Sequence, residues 1–557
     1  MNCLTRAAAL AAFLAALPAA ALNHEAIVPP IAPGTHNVAC SNIEQDASRM
    51  IPGAVPADYW EGHVVNEQPL YVTQLLTAPQ TAIVYDAVPP DDRSIYPNTA
   101  NARVPFVGFV CHPTPASNDD PNYALPGGAG VIPHMQAAGA APKLTGGRFP
   151  LIVYSHGLGG SPIGSGYIES VVALAAQGYV VAAPFHADTR FSRVRIEDLS
   201  DFFYLLTQYD RVAEMMLMRP VALKALVDVL LAHPQFSQAI DPDRIAGFGA
   251  SLGGQAVLNL MGAKLTTSID KSCHETVRDP RIKLAVGYVP YSGQSFLPAF
   301  CEGQSGAAEV DRPFLAIAGT ADTTAPIKLT QQAVNRLKGS RFMVELIDGQ
   351  HELRPEDAGD LFTWMVTFYR AYLQGDANAM ASFIRMRGVI GGRDDDIEID
   401  AHVPRQFAPG EVLLTEMQNG DRYTLAATAG DIGALQGSGY SVTGYSFKAW
   451  STVPPAGLTA CHYTTAILDS GGSAYGPCSG SKRLGWTYDP TLGFYITRAD
   501  AFGGCPPGLL QVNRLYLPRY AISRSASSVR LVTSDSAARE SAANGWILLP
   551  TTMCARP

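Results

Sequence analysis

The sequence predicts an α/β fold with a mostly parallel sheet, followed by a smaller β-rich region. From residue 149 onward, short apolar runs alternate with helical stretches, the pattern of a parallel sheet covered by helices on both faces. From about residue 401 the alternation stops, and short apolar runs, turn residues and aromatic residues follow. A chain of 557 residues is long enough for two domains of this kind.

The alternating part defines the individual elements. Short apolar runs predict strands at residues 150–154, 179–183, 245–248, 284–289, 314–318 and 342–347. Helical periodicity predicts helices at residues 165–177, 211–232, 255–263, 327–337 and 358–373. Upstream, residues 23–147 are rich in Pro, Asn and Asp, which predicts short strands and loops that lead into the sheet.

The composition argues against a nucleic-acid-binding protein. The formal net charge is -9, the isoelectric point is near 5.7, and the chain has no run of Lys or Arg. Charged residues make up 16% of the chain, below the roughly 25% usual for globular proteins. Together with 51 Gly and 41 Pro, this low-charge and loop-rich composition suits an exported protein.

The N-terminus has the pattern of a signal peptide. Arg6 precedes an apolar run at residues 7–17, and Pro18 and the small residues Ala19 to Ala21 follow it. We therefore predict a signal peptide at residues 1–21 with cleavage after Ala21. Because no other apolar stretch reaches 18 residues, a membrane span is not expected, and we predict a secreted or periplasmic protein.

The cysteines indicate disulfide bonds. Of the nine cysteines, Cys3 leaves with the signal peptide, and the remaining even number is typical of an oxidising compartment. None lies in a C-x-x-C motif, so disulfides are favoured over zinc. Sequence leaves the pairing open. Domain logic suggests Cys40 with Cys111, Cys273 with Cys301, and the last four among themselves, namely Cys461, Cys478, Cys505 and Cys554.

A candidate nucleophile lies between a predicted strand and a predicted helix. The sequence Gly249-Ala250-Ser251-Leu252-Gly253 follows the apolar run that ends at Phe248. In the G-x-S-x-G motif the glycines allow a sharp turn that exposes the serine at the edge of the sheet. Ser251 is therefore the predicted nucleophile.

The partners of a nucleophilic serine are a base and an acid, and both are predicted after strands. Asp322 follows the run that ends at Ala318, and His351 follows the run that ends at Ile347. The order Ser251, Asp322, His351 matches the order used with this kind of sheet. Rival residues are the acid Asp348, which is close to His351 in sequence, and the bases His156 and His186, which precede Ser251.

The oxyanion of an acyl-transfer intermediate needs backbone N–H donors. The first predicted strand ends in a Gly-rich loop at residues 155–160, which would face Ser251. We assign the oxyanion hole to the N–H groups of Leu252 and Leu158.

With these motifs, residues from about 40 to 392 resemble secreted α/β hydrolases of the dienelactone hydrolase and platelet-activating-factor acetylhydrolase type. The resemblance is carried by SHGLGGSP, GYVVAAPFHADTRF, DRIAGFGASLGG and GTADTTAP. It implies a serine esterase that needs no metal or cofactor and acts on small or short-acyl carboxylic esters. We predict a catalytic domain at residues 22–392. True dienelactone hydrolases carry Cys where this chain has Ser251, so that family's own lactones are not the expected substrate.

Two segments are candidates for pocket walls. The insert between Asp188 and Asp241 contains an aromatic run at residues 202–206 and a methionine-rich run at 215–218, which either cap the pocket or fill ordinary core. The segment 290–294 follows another strand and is a second candidate wall.

Beyond the catalytic domain, residues 393–405 are predicted as an acidic linker, with a calcium site as the alternative. Residues 406–557 are predicted as a β-rich repeat module, because three weakly similar copies recur about every 50 residues without long helical periods. The module resembles a secreted bacterial repeat with an H-F-Y-T signature and a G-W turn. Its aromatic residues would either contact a surface or carbohydrate or fill its core.

The predicted function is a secreted serine hydrolase that cleaves carboxylic esters through an acyl-enzyme on Ser251. His351 would be the base and Asp322 the orienting acid. The substrate would be a small-molecule or polymeric ester. Alternatives are an exported peptidase or polyester depolymerase with the same triad, and a surface or glycan-binding protein with an inert hydrolase domain.

Overall fold

The computed structural model describes most of the chain. The described residues are 26–164, 166–192, 203–204, 207–402, 404, 407–454, 456–465, 472–477, 486–507, 509–518 and 528–556. The predicted signal peptide at residues 1–21 lies outside them.

A 10-stranded sheet forms the centre of the described structure. Its strands are β1 (Asn37–Cys40), β2 (Ile83–Ala87), β3 (Val104–Thr114), β4 (Phe149–Ser155), β5 (Val180–Pro184), β6 (Ile240–Ala250), β7 (Ile282–Tyr288), β8 (Phe314–Gly319), β9 (Arg341–Leu346) and β10 (Asp395–Ala401). The spatial order is β1-β3-β5-β4-β6-β7-β8-β9-β10, and β2 pairs with β3. Strands β4 to β9 run parallel, and the edges are antiparallel. The predicted mostly parallel sheet is confirmed.

Helices cover both faces of this sheet. They are α1 (Tyr167–Ala176), α2 (Tyr209–Ala232), α3 (Leu252–Leu260), α4 (Ile327–Arg336), α5 (Pro355–Tyr372) and α6 (Ala377–Arg385). The residues of β5 and β8 are buried throughout, because a strand covered on both faces needs apolar side chains in both directions. Successive side chains therefore feed two separate cores. Ile152 belongs to one with Trp364, and Leu151 and Val153 belong to the other with Leu226.

The predicted acidic linker at residues 393–405 contains a strand of the main sheet instead. Strand β10 pairs antiparallel with β9, from Leu346 opposite Asp395 to Arg341 opposite Ala401. Its sequence alternates acidic and apolar residues, which is a strand pattern with one face buried. The Asp395 carboxylate is satisfied by the Trp364 indole and the Val389 amide. Part of this acidic run is therefore satisfied by hydrogen bonds within the protein and not by solvent.

The C-terminal region is built mainly of strands. They are β11 (Glu411–Asn419), β12 (Arg422–Ala426), β13 (Ser441–Trp450), β14 (Gly457–Thr465), β15 (Gly472–Pro477), β16 (Trp486–Arg498), β17 (Leu510–Gln511), β18 (Asn513–Leu517), β19 (Ser528–Val532), β20 (Ile547–Leu549) and β21 (Met553–Ala555). Most of them form one sheet with the order β12-β11-β13-β16-β14-β15, to which β17 and β21 attach. Strands β19, β18 and β20 form a second sheet in that order.

Two of the three predicted repeat copies share a local structure that includes a helix. In the first copy β12 leads through α7 (Ala429–Gly437) to β13, and in the third β19 leads through α8 (Asp535–Ala543) to β20. The predicted β-rich region therefore also contains short helices. Thr428 and Ser534 each cap the helix that follows, a start signal that the search for long apolar periods does not detect. The segment between the strands of the second copy, at residues 466–471 and 478–485, lies outside the described residues.

Disulfide bonds join Cys40 to Cys111, Cys273 to Cys301, and Cys505 to Cys554, which confirms the two specific pairings and one within the last four. Cys478 and the side chain of Cys461 lie outside what the structure describes. Within the described ranges, no helix is long and apolar enough to cross a membrane.

Candidate active site

Ser251 occupies a sharp turn between β6 and α3. Its backbone has φ of 53°, a value in the left-handed region that is uncommon for a residue with a side chain. Two backbone hydrogen bonds support this conformation: the Ser251 amide donates to Tyr288, and the Tyr291 amide donates to Ser251. The turn therefore lifts the Ser251 hydroxyl above the carboxyl end of the sheet.

The glycines of the motif are required by close packing. A Cβ atom on Gly253 would lie 1.8 Å from the Ser155 carbonyl oxygen, and one on Gly249 would lie 2.1 Å from the Gly253 carbonyl oxygen. Helix α3 can therefore start directly against the end of β4 only because these positions have no side chain.

The structure brings together the three residues predicted as a triad. His351 Nε2 is 2.9 Å from Ser251 Oγ, and His351 Nδ1 is 2.7 Å from Asp322 Oδ2. An ionised carboxylate only accepts hydrogen bonds, so Nδ1 donates to Asp322 and Nε2 is left to accept the Ser251 proton. This arrangement has the geometry that proton removal from a serine requires.

The Asp322 carboxylate is held in place from both oxygens. The side chain is fully buried, and its second oxygen, Oδ1, accepts from the amides of Thr324 and Ala325 at 2.8 Å each. The rival acid Asp348 lies exposed in the turn after β9, where its amide donates to the Thr320 hydroxyl. Asp322, rather than Asp348, therefore orients the His351 ring.

The two predicted oxyanion donors lie next to Ser251. Leu252 is the first residue of α3, where a helix N–H has no acceptor within the helix. Leu158 lies in the Gly-rich loop after β4 and lines the same cavity as Ser251. A Cβ atom on the adjacent Gly157 would lie 3.5 Å from the Ser251 Cβ, so this loop passes directly beside the serine.

The rival bases His156 and His186 lie beneath the site. Both rings are buried, their centroids are 4.8 Å apart, and His186 Nε2 lies 2.8 Å from Ser155 Oγ. Burial lowers the pKa of His156 to about 4, and that of His186 well below its ordinary value. In the described part of the chain neither ring bonds to Ser251, so they brace the loop.

A cavity of about 720 Å³ opens at Ser251 and His351. Helix α2 supplies an apolar wall through Val212, Met215 and Met216, which lie in the predicted cap insert. The predicted second wall is also present. It contributes Tyr291 and Gln294 at one side, and the remaining wall is formed largely by Tyr154, Tyr167, Phe248, Tyr288, Phe296, Leu297, Leu353 and Leu361.

Sequence reasoning missed a buried ion pair between Arg219 and Asp188 under the Gly-rich loop. The Arg219 side chain is 1% exposed and that of Asp188 is 2% exposed. A signal was present, because Arg219 is the single charge in the apolar run from Met215 to Leu223. Such a residue in a buried helix needs a partner.

The described residues contain no group of three or more His, Cys, Asp or Glu side chains arranged to hold a metal ion. This includes the described part of the acidic run at residues 393–400, for which a calcium site was the alternative prediction.

A family model described as "Platelet-activating factor acetylhydrolase, isoform II" matches residues 132–196 of the chain. The matched stretch includes the Gly-rich loop, His186 and Asp188, and it ends before Ser251. No curated protein matches the chain.

The family match and the central, mostly parallel sheet together support an α/β hydrolase similar to the platelet-activating-factor acetylhydrolases. Proteins of that class are hydrolases that act on esters.

Proposed function

We propose that the protein is a secreted serine hydrolase that cleaves carboxylic esters through an acyl-enzyme on Ser251. The observation that carries this proposal is the continuous chain of hydrogen bonds from Ser251 Oγ through the His351 ring to the buried Asp322 carboxylate. The role of each of these three residues follows from the path of the proton along the hydrogen bonds.

In the proposed reaction His351 Nε2 takes the Ser251 proton as Oγ attacks the ester carbonyl. The protonated His351 then gives the proton to the leaving alcohol, and a water molecule repeats the sequence in reverse to release the acid. Asp322 stabilises the imidazolium without taking up the proton. The N–H groups of Leu252 and Leu158 would bind the oxyanion, and each such donor is typically worth about 3 kcal/mol.

The substrate class follows from the cavity. At about 720 Å³ it has room for groups larger than an acetyl, and its wall is mainly aromatic and aliphatic. Among the described lining residues, the charged or titratable groups beyond the tyrosines are His351 and Glu352. We therefore propose an uncharged ester with an apolar acyl or alcohol part. Export is proposed from the N-terminal pattern and is supported by the three disulfides.

The test is turnover of p-nitrophenyl esters from acetate to palmitate, together with labelling by a fluorophosphonate. We expect hydrolysis and a covalent label on Ser251 in the mature protein. Ser251→Ala should lose the label and reduce kcat by about 10⁶-fold, as in other serine hydrolases. The exposed Ser117→Ala serves as the matched control and should keep both.

A folded protein that neither hydrolyses any ester nor takes the label would contradict the proposal. Cleavage of peptides in place of esters would redirect it to a peptidase. Ligand binding without labelling would favour the inert, binding role.

A further inference from the structure

The buried pair of Arg219 and Asp188 forms a fork beneath the Gly-rich loop. Arg219 Nε donates to Asp188 Oδ1 at 2.9 Å, and Nη2 donates to Oδ2. Arg219 comes from helix α2 and Asp188 from the segment after β5, so the pair fixes two elements against each other. A buried ion pair pays a large desolvation cost, and stability alone does not explain its presence.

The same two side chains also hold the loop that carries Leu158. Arg219 Nη2 donates to the Gly157 carbonyl at 2.9 Å, Nη1 donates to the His156 carbonyl, and Asp188 Oδ2 accepts from the Gly159 amide at 3.3 Å. The loop between β4 and α1 is therefore bound at His156, Gly157 and Gly159, on both sides of Leu158.

A second donor reaches the Gly157 carbonyl. The His186 amide donates to His156 Nε2 at 3.3 Å, so in the neutral ring the proton sits on Nδ1, which donates to the Gly157 carbonyl at 2.8 Å. His156 is neutral at pH values near 7 because burial lowers its pKa to about 4. The Gly160 amide also donates to this oxygen at 3.3 Å, so three donors converge on one carbonyl.

The direction of that carbonyl determines the direction of the Leu158 N–H. The Gly157 C=O and the Leu158 N–H belong to one planar peptide group, and the peptide bonds of the described residues are trans. In a trans peptide the two bonds point in opposite directions. With the carbonyl directed onto Arg219, the Leu158 N–H points away from Arg219. Leu158 and Ser251 line the same cavity.

We propose that Arg219, oriented by Asp188, is a positioning residue that aims the Leu158 N–H at the oxyanion. The inference rests on the proposed function. Donors on the carbonyl also polarise its peptide group, which strengthens the hydrogen bond that the N–H on the other side donates. Arg219 lies outside the set of described residues that line the cavity, so it acts on the oxyanion through this peptide and not by touching the substrate.

The test is Arg219→Lys. Lysine keeps the charge, but it cannot reproduce the planar fork that reaches Asp188 and two carbonyls at once. We expect kcat for a p-nitrophenyl ester to fall about 10²-fold, the size found when an oxyanion donor is lost, with KM changed less than about 3-fold. Asp188→Asn, which removes the charge that orients Arg219, should act in the same direction and is available if Arg219→Lys does not fold.

A transition-state analogue separates positioning from plain stability. An alkylboronic acid forms a tetrahedral adduct on Ser251 whose oxygen occupies the oxyanion hole, whereas an ether analogue of the substrate has no carbonyl. We expect boronate affinity to fall by the same factor as kcat/KM, while ether affinity is unchanged. Arg530→Lys is the matched control, since Arg530 is equally buried and forked onto Glu416 in the C-terminal region. Arg530→Lys should lower the unfolding midpoint and leave kcat and boronate affinity unchanged.

The outcomes are distinct from those for the proposed function. An active, fluorophosphonate-labelled wild type whose Arg219→Lys and Asp188→Asn variants keep kcat and boronate affinity would overturn the positioning role only. A rise in KM at constant kcat would also overturn it. A folded wild type without activity or labelling would overturn both proposals.

Discussion

At the scale of single residues, the site depends on conformations and partners that only one residue type can supply. Ser251 has a positive φ of 53°. The backbone packed around Gly249 and Gly253 leaves no room for a Cβ atom at either position. The strain at Ser251 persists because the backbone hydrogen bonds to Tyr288 and Tyr291 hold it. Fixed hydrogen bonds likewise single out Asp322 as the candidate acid.

The choice between Asp322 and Asp348 gives a prediction. Asp322→Asn keeps the shape and the acceptor for Thr324 and Ala325, but its amide favours the wrong tautomer of His351. We expect kcat to fall by about 10⁴-fold, as in serine proteases with the same change.

Asp348→Asn is the matched control. Asp348 is exposed with φ of 57°, a conformation that Asn tolerates well, so its kcat should stay within about 2-fold of the wild type. Ester turnover at saturating substrate measures both variants, and a larger loss in Asp348→Asn than in Asp322→Asn would reverse the assignment.

At the level of elements, strand β10 completes the sheet although helices α5 and α6 separate it from its neighbour β9 in the sequence. It covers the edge of β9, and its Asp395 carboxylate accepts from the Trp364 indole in α5 and the Val389 amide. The boundary of the hydrolase part therefore falls after β10, not at Gly392.

Truncation tests this boundary. A chain ending at Gly392 loses β10, which exposes the edge of β9 and leaves the Trp364 and Val389 donors without Asp395. Each buried donor left unpaired costs about 1–3 kcal/mol. We therefore expect the free energy of unfolding of a chain ending at Pro404 to be about 2–6 kcal/mol higher than that of the chain ending at Gly392. Urea unfolding of the two chains side by side makes the comparison, and equal midpoints would show that β10 is dispensable.

At the scale of the whole molecule, the C-terminal region packs against the edge of the hydrolase part that contains α4, β9 and β10. Arg539 of helix α8 lies 3.7 Å from a Glu345 oxygen in β9 and 3.3 Å from a Glu398 oxygen in β10. Lys328 pairs with Glu540 at 2.9 Å across the same junction. Burial, and next the nearby Glu398, raise the pKa of Glu345 to about 7.

This raised pKa predicts a pH-dependent stability. A carboxyl group whose pKa is higher in the folded state binds its proton more tightly there. The resulting stability is complete below the ordinary pKa of 4.5 and is lost as the pH rises through 7. Glu345→Gln cannot ionise, so we expect its free energy of unfolding to match that of the wild type below pH 4.5 and to exceed it at pH 8 by on the order of 3 kcal/mol. The acceptor for Gln331 remains.

Thermal or urea unfolding at pH 4 and pH 8 measures this difference. The exposed Glu309→Gln is the control and should change stability by less than about 0.5 kcal/mol at either pH. A Glu345→Gln protein that is less stable than the wild type at pH 8 would contradict the prediction.

The amino-acid sequence was enough to predict the parallel sheet and the positions of the candidate triad. Apolar runs alternating with helical periods are local patterns, and Ser251, Asp322 and His351 each follow a strand, where parallel strands bring their carboxyl ends to one edge. Two disulfide pairings followed from domain logic.

Features that depend on contacts between distant segments became visible only in the folded chain. The Arg219–Asp188 fork joins residues that are 31 positions apart. The local sequence pattern around either residue does not predict the other as its partner. Strand β10 carried a readable alternation, but its acidic residues resembled a linker until Trp364 and Val389 supplied partners. Periodicity reports whether a segment can be buried, and the choice of partner depends on packing that forms only in the complete fold.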